Sequence, residues 1–172
     1  MTELPAQDVA PLADCPRSIT ISGAQDISCD PLSAFALICQ VEKWPVWLSF
    51  LRSARRTDGK ALSLGSEVAV RGSIPGNDEE LYEVDHYVDG HVVSLVGAYS
   101  VRRRIDLRVE RVGIRGRVVA RFSYPVYRGL LGSWVDRLTV RRKLEAALGD
   151  SLVHLKGLVE YNRDPSEALA DF

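Results

Sequence analysis

The chain is short of the features that would tie it to a membrane, a secreted scaffold or a cofactor-dependent enzyme. No apolar run approaches the roughly 20 residues needed to cross a bilayer. The opening Met1-Thr2-Glu3-Leu4-Pro5 has neither the basic segment nor the apolar stretch of a secretory signal. Cysteine occurs three times, at Cys15, Cys29 and Cys39, without the CxxC spacing of a structural zinc site. An odd number crowded into the first quarter reads as reduced thiols, so a cytoplasmic setting is expected. There is no GxSxG elbow, no P-loop, no GxGxxG, and no His/Cys cluster with metal-ligand spacing. Neither Cys29 nor Cys39 has a histidine in view that would make it a nucleophile. No metal and no cofactor are therefore expected.

Charge is nearly balanced at −1 over 172 residues, but it is unevenly spread. Residues 1–90 hold 14 acids and 7 bases, and residues 91–172 hold 9 acids and 15 bases. Eight arginines fall between Arg102 and Arg121, which raises the question of an anionic partner. Arginines at alternate strand positions form the solvated face of a half-buried sheet. With no aromatic interleaving beside them, that reading is preferred and no nucleic acid is expected.

What is present is an amphipathic run from Ser133 to Asn162. At about 100° per residue, Val140, Leu144, Leu148, Ser151, Leu152, Leu155, Leu158 and Val159 share one face. Ser133 with Asp136 can cap its start, and Asn162 and Pro165 mark its stop. Such a helix spans roughly 40–45 Å and needs a broad apolar partner. Gly149 interrupts its composition without breaking its register. It marks a bend or a place of close approach.

The preceding residues read as that partner. After a flexible leader over 1–16, Arg17–Ser28 is β-rich, and Asp30-Pro31 opens a short helix. A second short helix follows near Pro45, with Trp44, Trp47 and Phe50 packed around it. Strand signals then recur over Leu51–Thr57, Leu64–Ile74, Glu80–Val88, His91–Ala98, Tyr99–Val112 and Ile114–Val126, with turns at Asp58-Gly59 and Asp89-Gly90. The third of the seven strands alternates poorly, as a bulge or an edge would. Elsewhere the faces separate. Tyr82, Val84, His86 and Val88 lie on one side of their strand, as do Tyr99, Val101, Arg103, Ile105, Leu107 and Val109 of theirs, and Val118, Ala120, Phe122 and Tyr124 of theirs.

In this setting Val41-Glu42-Lys43-Trp44-Pro45-Val46-Trp47 after the first helix, and Leu64-Gly65-Ser66 before the third strand, resemble the START/SRPBCC superfamily. The stretch Gly129-Leu130-Leu131-Gly132-Ser133-Trp134-Val135-Asp136-Arg137-Leu138, with Arg141-Arg142 and later Leu152, Leu155 and Lys156, is similar to its bacterial polyketide cyclase/dehydrase-like members. The resemblance runs from Ser18 to Tyr161. It implies an α+β helix-grip fold: a curved seven-stranded antiparallel sheet wrapped around the long C-terminal helix, with two short helices after strand one. The domain would occupy residues 17–162, followed by a tail over 163–172. It also implies a cavity for a hydrophobic ligand of polyketide, lipid, isoprenoid or quinone class.

The residues expected to line that cavity are Trp47, Tyr82, Val84, His86, Tyr99, Val101, Arg103, Ile105, Phe122, Tyr124, Leu144, Leu148 and Leu152. Arg103 is the most informative, because a guanidinium on an apolar face stays charged. It either orients a ligand carboxylate, enolate or phenolate, or reaches solvent with its stem buried. His86 is a candidate acid–base group or a hydrogen-bonded core residue. Tyr82, Tyr99 and Tyr124 each offer a ring wall and a hydroxyl for a ligand carbonyl or else pack the core, Tyr82 being also a catalytic candidate. Trp134 is a further candidate for the cavity mouth. Arg137 and Arg141 either follow a bend of the helix away from the sheet or line one end of the cavity. The leading expectation is a binding module. A cofactor-free cyclase or dehydratase using Arg103, His86 or Tyr82 is the alternative, and a quinone or lipid delivery protein with transient membrane contact is the third. The sequence leaves the oligomeric state open.

Overall fold

The computed structural model describes residues 18–72, 79–125 and 133–161, with the side chains of 100–102, 125 and 133–140 outside the description. The chain runs β1 (Ser18–Ile27), α1 (Pro31–Ile38), a 3-10 turn (Val41–Lys43) and α2 (Trp44–Trp47). Then come β2 (Leu51–Arg56), β3 (Glu67–Gly72), β4 (Glu79–Val88), β5 (Val92–Gly97), β6 (Ser100–Val112), β7 (Arg115–Pro125) and α3 (Ser133–Tyr161). All seven strands form one antiparallel sheet in the order β1-β7-β6-β5-β4-β3-β2. This is the expected helix-grip architecture. β1 and β2 become the two edges, and the short helices carry the chain from one edge to the other.

Local chemistry explains the turns. Asp30 accepts from the Leu32 N–H at 3.4 Å, and Pro31 at the first helical position pre-sets φ. The Trp44 indole N–H donates to the Ile38 carbonyl at 2.8 Å, locking α2 onto the end of α1. Gly90, after Asp89, has φ of +72°, where a side chain would be strained. The third strand is shorter than its predicted span. Ser63 and Ser66 make a hydrogen-bonded turn, and Leu64 stays exposed. The irregularity expected in that strand lies in its neighbour β2, between Leu51 and Ser53, and β2 is the edge. Further register breaks fall between Val84 and His86 and between Val96 and Gly97, and such bulges sharpen sheet curvature.

α3 buries Leu144, Leu148, Ser151, Leu152, Leu155 and Val159, the face that its periodicity predicts, while Leu158 is half exposed and Val153 faces solvent. Val140, Ser133 and Asp136 have side chains outside the description, and Asn162 and Pro165 lie beyond the described residues, as do the leader and tail. The helix packs chiefly on β1, and also touches α1 and α2. It comes close to the strand at Gly23, where a Cβ would sit 2.8 Å from Leu152 Cδ1 and 3.4 Å from Leu148 Cγ. Polar ties hold it from both sheet edges. Ser151 Oγ accepts from the Ser49 N–H at 3.1 Å and donates to the Ala147 carbonyl at 2.6 Å. Glu160 accepts from the Ser28 N–H at 2.6 Å, and Lys156 Nζ donates to the Asp26 carbonyl at 3.1 Å. Gly149 differs from Gly23, because among the described residues no atom beyond its own stretch of helix lies within 4 Å of where its Cβ would be.

The two glycines should therefore respond oppositely to alanine in urea denaturation. Gly149→Ala is expected to stabilise the protein by about 1 kcal/mol through helix propensity. Gly23→Ala is expected to destabilise it by about 1–2 kcal/mol through overpacking against Leu152. A stabilising Gly23→Ala would contradict this helix–sheet contact.

Candidate functional site

Because α3 rests on β1, the space between it and the rest of the sheet is not completely filled. A cavity of about 70 Å³ remains there. Its apolar walls come from Ile21 of β1, Phe50 and Leu51 at the start of β2, Val70 of β3, Ile105 of β6, Phe122 of β7 and Leu144 of α3. Phe50 meets Phe122 edge-on, with ring centroids 5.0 Å apart, and this pair braces the short-helix side against β7.

Polar groups gather at one side. Strand alternation points Glu80 and Tyr82 of β4 inward, together with Arg103 of β6. The Arg103 guanidinium donates to Glu80 Oε1, and the Tyr82 hydroxyl donates to Glu80 Oε2 at 3.2 Å. Both members of the ion pair are mostly shielded, with side-chain exposures of 17% and 29%. Tyr82 is buried, and loss of solvation pushes its phenol up to about 12. Arg104 also borders the cavity but is held by Asp106 and Asp85, each at 2.9 Å. Asp106, accepting from it, raises the Arg104 guanidinium further above its ordinary range. Ser123 Oγ shares a 2.9 Å hydrogen bond with Thr20 Oγ1. The Tyr124 hydroxyl is buried and has no hydrogen-bond partner among the described residues.

Of the residues expected at the site, Tyr82, Arg103, Ile105, Phe122, Tyr124 and Leu144 come together on this cavity. His86 does not. The register break after Val84 shifts the strand phase by one residue, so His86 is exposed and Tyr87 turns inward against Phe35 at 5.9 Å. Tyr99 does not either: it sits in the tight turn between β5 and β6 and is 90% exposed. Trp47, Val84, Leu148 and Leu152 are fully buried in the packed core and do not border the cavity. The Val101, Trp134 and Arg137 side chains lie outside the description. Arg141 is exposed and paired with Glu145 at 2.8 Å, one helical turn on. Cys39 packs near Tyr87, and burial pushes its thiol up, away from nucleophilic character. No three His, Cys, Asp or Glu side chains among the described residues are grouped to hold a metal ion.

Glu80 is a polar cavity-lining residue that sequence reasoning missed, and it missed Arg104, Ser123 and the apolar Ile21, Phe50, Leu51 and Val70 as well. The signal for Glu80 was present: it shares the parity of Tyr82 and Val84, so a carboxylate faces inward opposite an inward arginine. Of the other described arginines, Arg108, Arg111, Arg115 and Arg121 are exposed, as a solvated face requires, and Arg117 pairs with Asp26 at 2.6 Å, whereas Arg104 is half-buried at the cavity.

The Tyr82 environment has a pH signature. Its folded-state value lies above the ordinary 10, so the folded chain retains a proton that the unfolded chain loses between pH 10 and 12. Stability should fall across that window as pH rises, and Tyr82→Phe should remove part of the fall. Tyr87 is pushed up to about 12 as well, by desolvation first. Ultraviolet difference titration is therefore expected to show a tyrosine component near 12 from which Tyr82→Phe deletes one group. Ionisation of Tyr82 near 10 in the folded protein would contradict its burial.

Comparison with known proteins agrees with this architecture. A family model described as polyketide cyclase/dehydrase and lipid transport matches residues 18–160. No curated protein matches the sequence. Among solved structures, TTHA0849 from Thermus thermophilus is similar with a TM-score of 0.69 at 14% identity, covering 85% of this chain and 100% of that one. DR_A0006 from Deinococcus radiodurans matches with a TM-score of 0.58 at 17% identity, over 80% of this chain and 95% of that one. Ara h 8.0201 matches with a TM-score of 0.55 at 12% identity, over 85% and 100%. These likenesses show the shared fold. With the family model spanning nearly every described element, the chain belongs to the polyketide cyclase/dehydrase and lipid transport family, of START/SRPBCC type.

Proposed function

We propose that this protein binds one hydrophobic or amphipathic small molecule in the cavity between sheet and α3. The observation that carries the reading is a cavity with walls of Ile21, Val70, Ile105, Phe122 and Leu144 and a single polar side, a composition suited to an apolar body with one oriented end. Family membership supports a hydrophobic ligand in general; a polyketide, lipid, isoprenoid or quinone would each satisfy it. Volume narrows the mode. An apolar cavity of about 150 Å³ accommodates benzene, whereas this one encloses about 70 Å³. The site therefore takes the head of a slender molecule, or widens by rotamer changes at Leu144 and Phe50. No helix among the described residues is long and apolar enough to cross a membrane. A cytoplasmic carrier or sensor of such a ligand fits the thiol chemistry.

A cofactor-free cyclase or dehydratase is the second reading, and the Tyr82–Glu80–Arg103 arrangement favours it. A carboxylate fixed by arginine and hydrogen-bonded to a phenol can handle a proton beside a substrate. Glu80→Gln would then lower turnover by about 100-fold or more while ligand affinity changes only a few-fold.

Native mass spectrometry of freshly purified protein tests the primary reading. A co-purifying small molecule is expected in wild type and lost in Val70→Phe, which fills the cavity, with the circular dichroism spectrum unchanged. Retention of the molecule by the filled variant would place binding elsewhere.

A further inference from the structure

The polar side chains bordering the cavity are nearly all satisfied. Glu80 accepts from both Arg103 and Tyr82. Arg104 is held between Asp106 and Asp85, and Ser123 is bonded to Thr20. Tyr124 is different: its hydroxyl is buried and has no partner among the described residues. A buried hydroxyl without a partner is unfavourable by about 1–3 kcal/mol, so an acceptor placed beside it in the cavity that Tyr124 lines would be favoured.

The charges point the same way. Among the described residues each charged side chain lining the cavity, Glu80, Arg103 and Arg104, is already paired with an opposite charge. An entering carboxylate would lose its water and then compete with Glu80 for Arg103. An entering cation would have to draw Glu80 away from Arg103. An uncharged molecule meets neither obstacle.

We propose that the ligand is neutral and carries an acceptor oxygen, of carbonyl or ether class, which receives a hydrogen bond from the Tyr124 hydroxyl. This rests on the binding reading above and specifies its ligand class. Arg103 then does not anchor the ligand. Its role is to hold Glu80, and Glu80 cancels its attraction for anions. Tyr124 is the specificity-determining residue, and the Glu80–Arg103 pair is a charge filter.

Three single-ring probes of similar shape, each admitted by the widening at Leu144 and Phe50, separate the possibilities: acetophenone, cumene and benzoate, titrated by ligand-observed NMR near neutral pH. Wild type is expected to bind acetophenone at least tenfold more tightly than benzoate. In Tyr124→Phe the ratio of acetophenone to cumene affinity should fall about five- to tenfold, the factor expected for one neutral hydrogen bond, with cumene itself unchanged. Glu80→Gln should invert the charge preference, because Arg103 becomes available to benzoate. If Glu80→Gln does not fold, the conservative Tyr124→Phe still decides the question. Benzoate binding most tightly to wild type would overturn the proposal. So would a Tyr124→Phe variant whose acetophenone-to-cumene ratio is unchanged. If cumene binds but acetophenone gains nothing from Tyr124, the oxygen assignment falls and the cavity reading stands. If none of the probes binds, this proposal falls, whereas a small molecule that co-purifies with wild type and is lost from Val70→Phe keeps the binding reading.

Discussion

The contact between α3 and β1 at Gly23 is the constraint from which the remaining geometry follows. A 29-residue helix can lie close to a strand only where the strand offers no side chain, and at Gly23 the Leu148 and Leu152 side chains fill that gap. Two fully buried leucines against backbone contribute about 1.5–3 kcal/mol each to holding the helix there. On the opposite edge, Ser151 meets Ser49 just before β2, so the helix spans the opening of the curled sheet. The ties from Glu160 and Lys156 fix its C-terminal half against the end of β1. With the helix fixed at the edges, it cannot also settle onto the inner face of β4 to β6. The cavity is what that compromise leaves.

Residues with chemistry cluster at that cavity for the same geometric reason. Inward positions on the middle strands have no helix side chain pressing on every one of them, so a polar group can sit there if it finds a partner. Arg103 finds Glu80, and Tyr82 joins them. Removing only one member of a buried pair leaves an uncompensated charge and is expected to be destabilising, whereas the intact pair is close to neutral for stability. A network satisfied within itself leaves the Tyr124 hydroxyl as a cavity-lining group without a partner among the described residues; Trp47 Nε1, the other such buried atom, lies in the packed core.

Much of the fold was legible because its signals are periodic. The apolar stripe of α3, the Asp-Gly turns and the alternation of β6 and β7 each follow from local sequence, and the family resemblance supplied the order in which they assemble. The site was less legible, for three physical reasons. A single extra residue in β4 reverses the side-chain phase, and nothing in Asp85-His86-Tyr87 marks it; that moved His86 outward. Tyr99 was counted with the strand because the turn at Ala98-Tyr99 lacks a glycine at its tip, though Gly97 precedes it. The third reason is depth: Trp47, Leu148 and Leu152 face inward as expected, but periodicity cannot distinguish a residue facing a cavity from one packed in the core. Glu80 was overlooked although its parity was available, since a glutamate near a strand start reads first as solvated.

The proposed ligand lies between sheet and helix, with its polar end at Tyr124. A crystal structure of the protein with its co-purifying molecule measures this directly. Ligand density is predicted against Ile105, Phe122 and Leu144, with an uncharged oxygen about 3 Å from the Tyr124 hydroxyl. Density instead in the open groove on the outer side of α3, beside Val46, Val153 and Leu158, with the inner cavity unaltered, would contradict it.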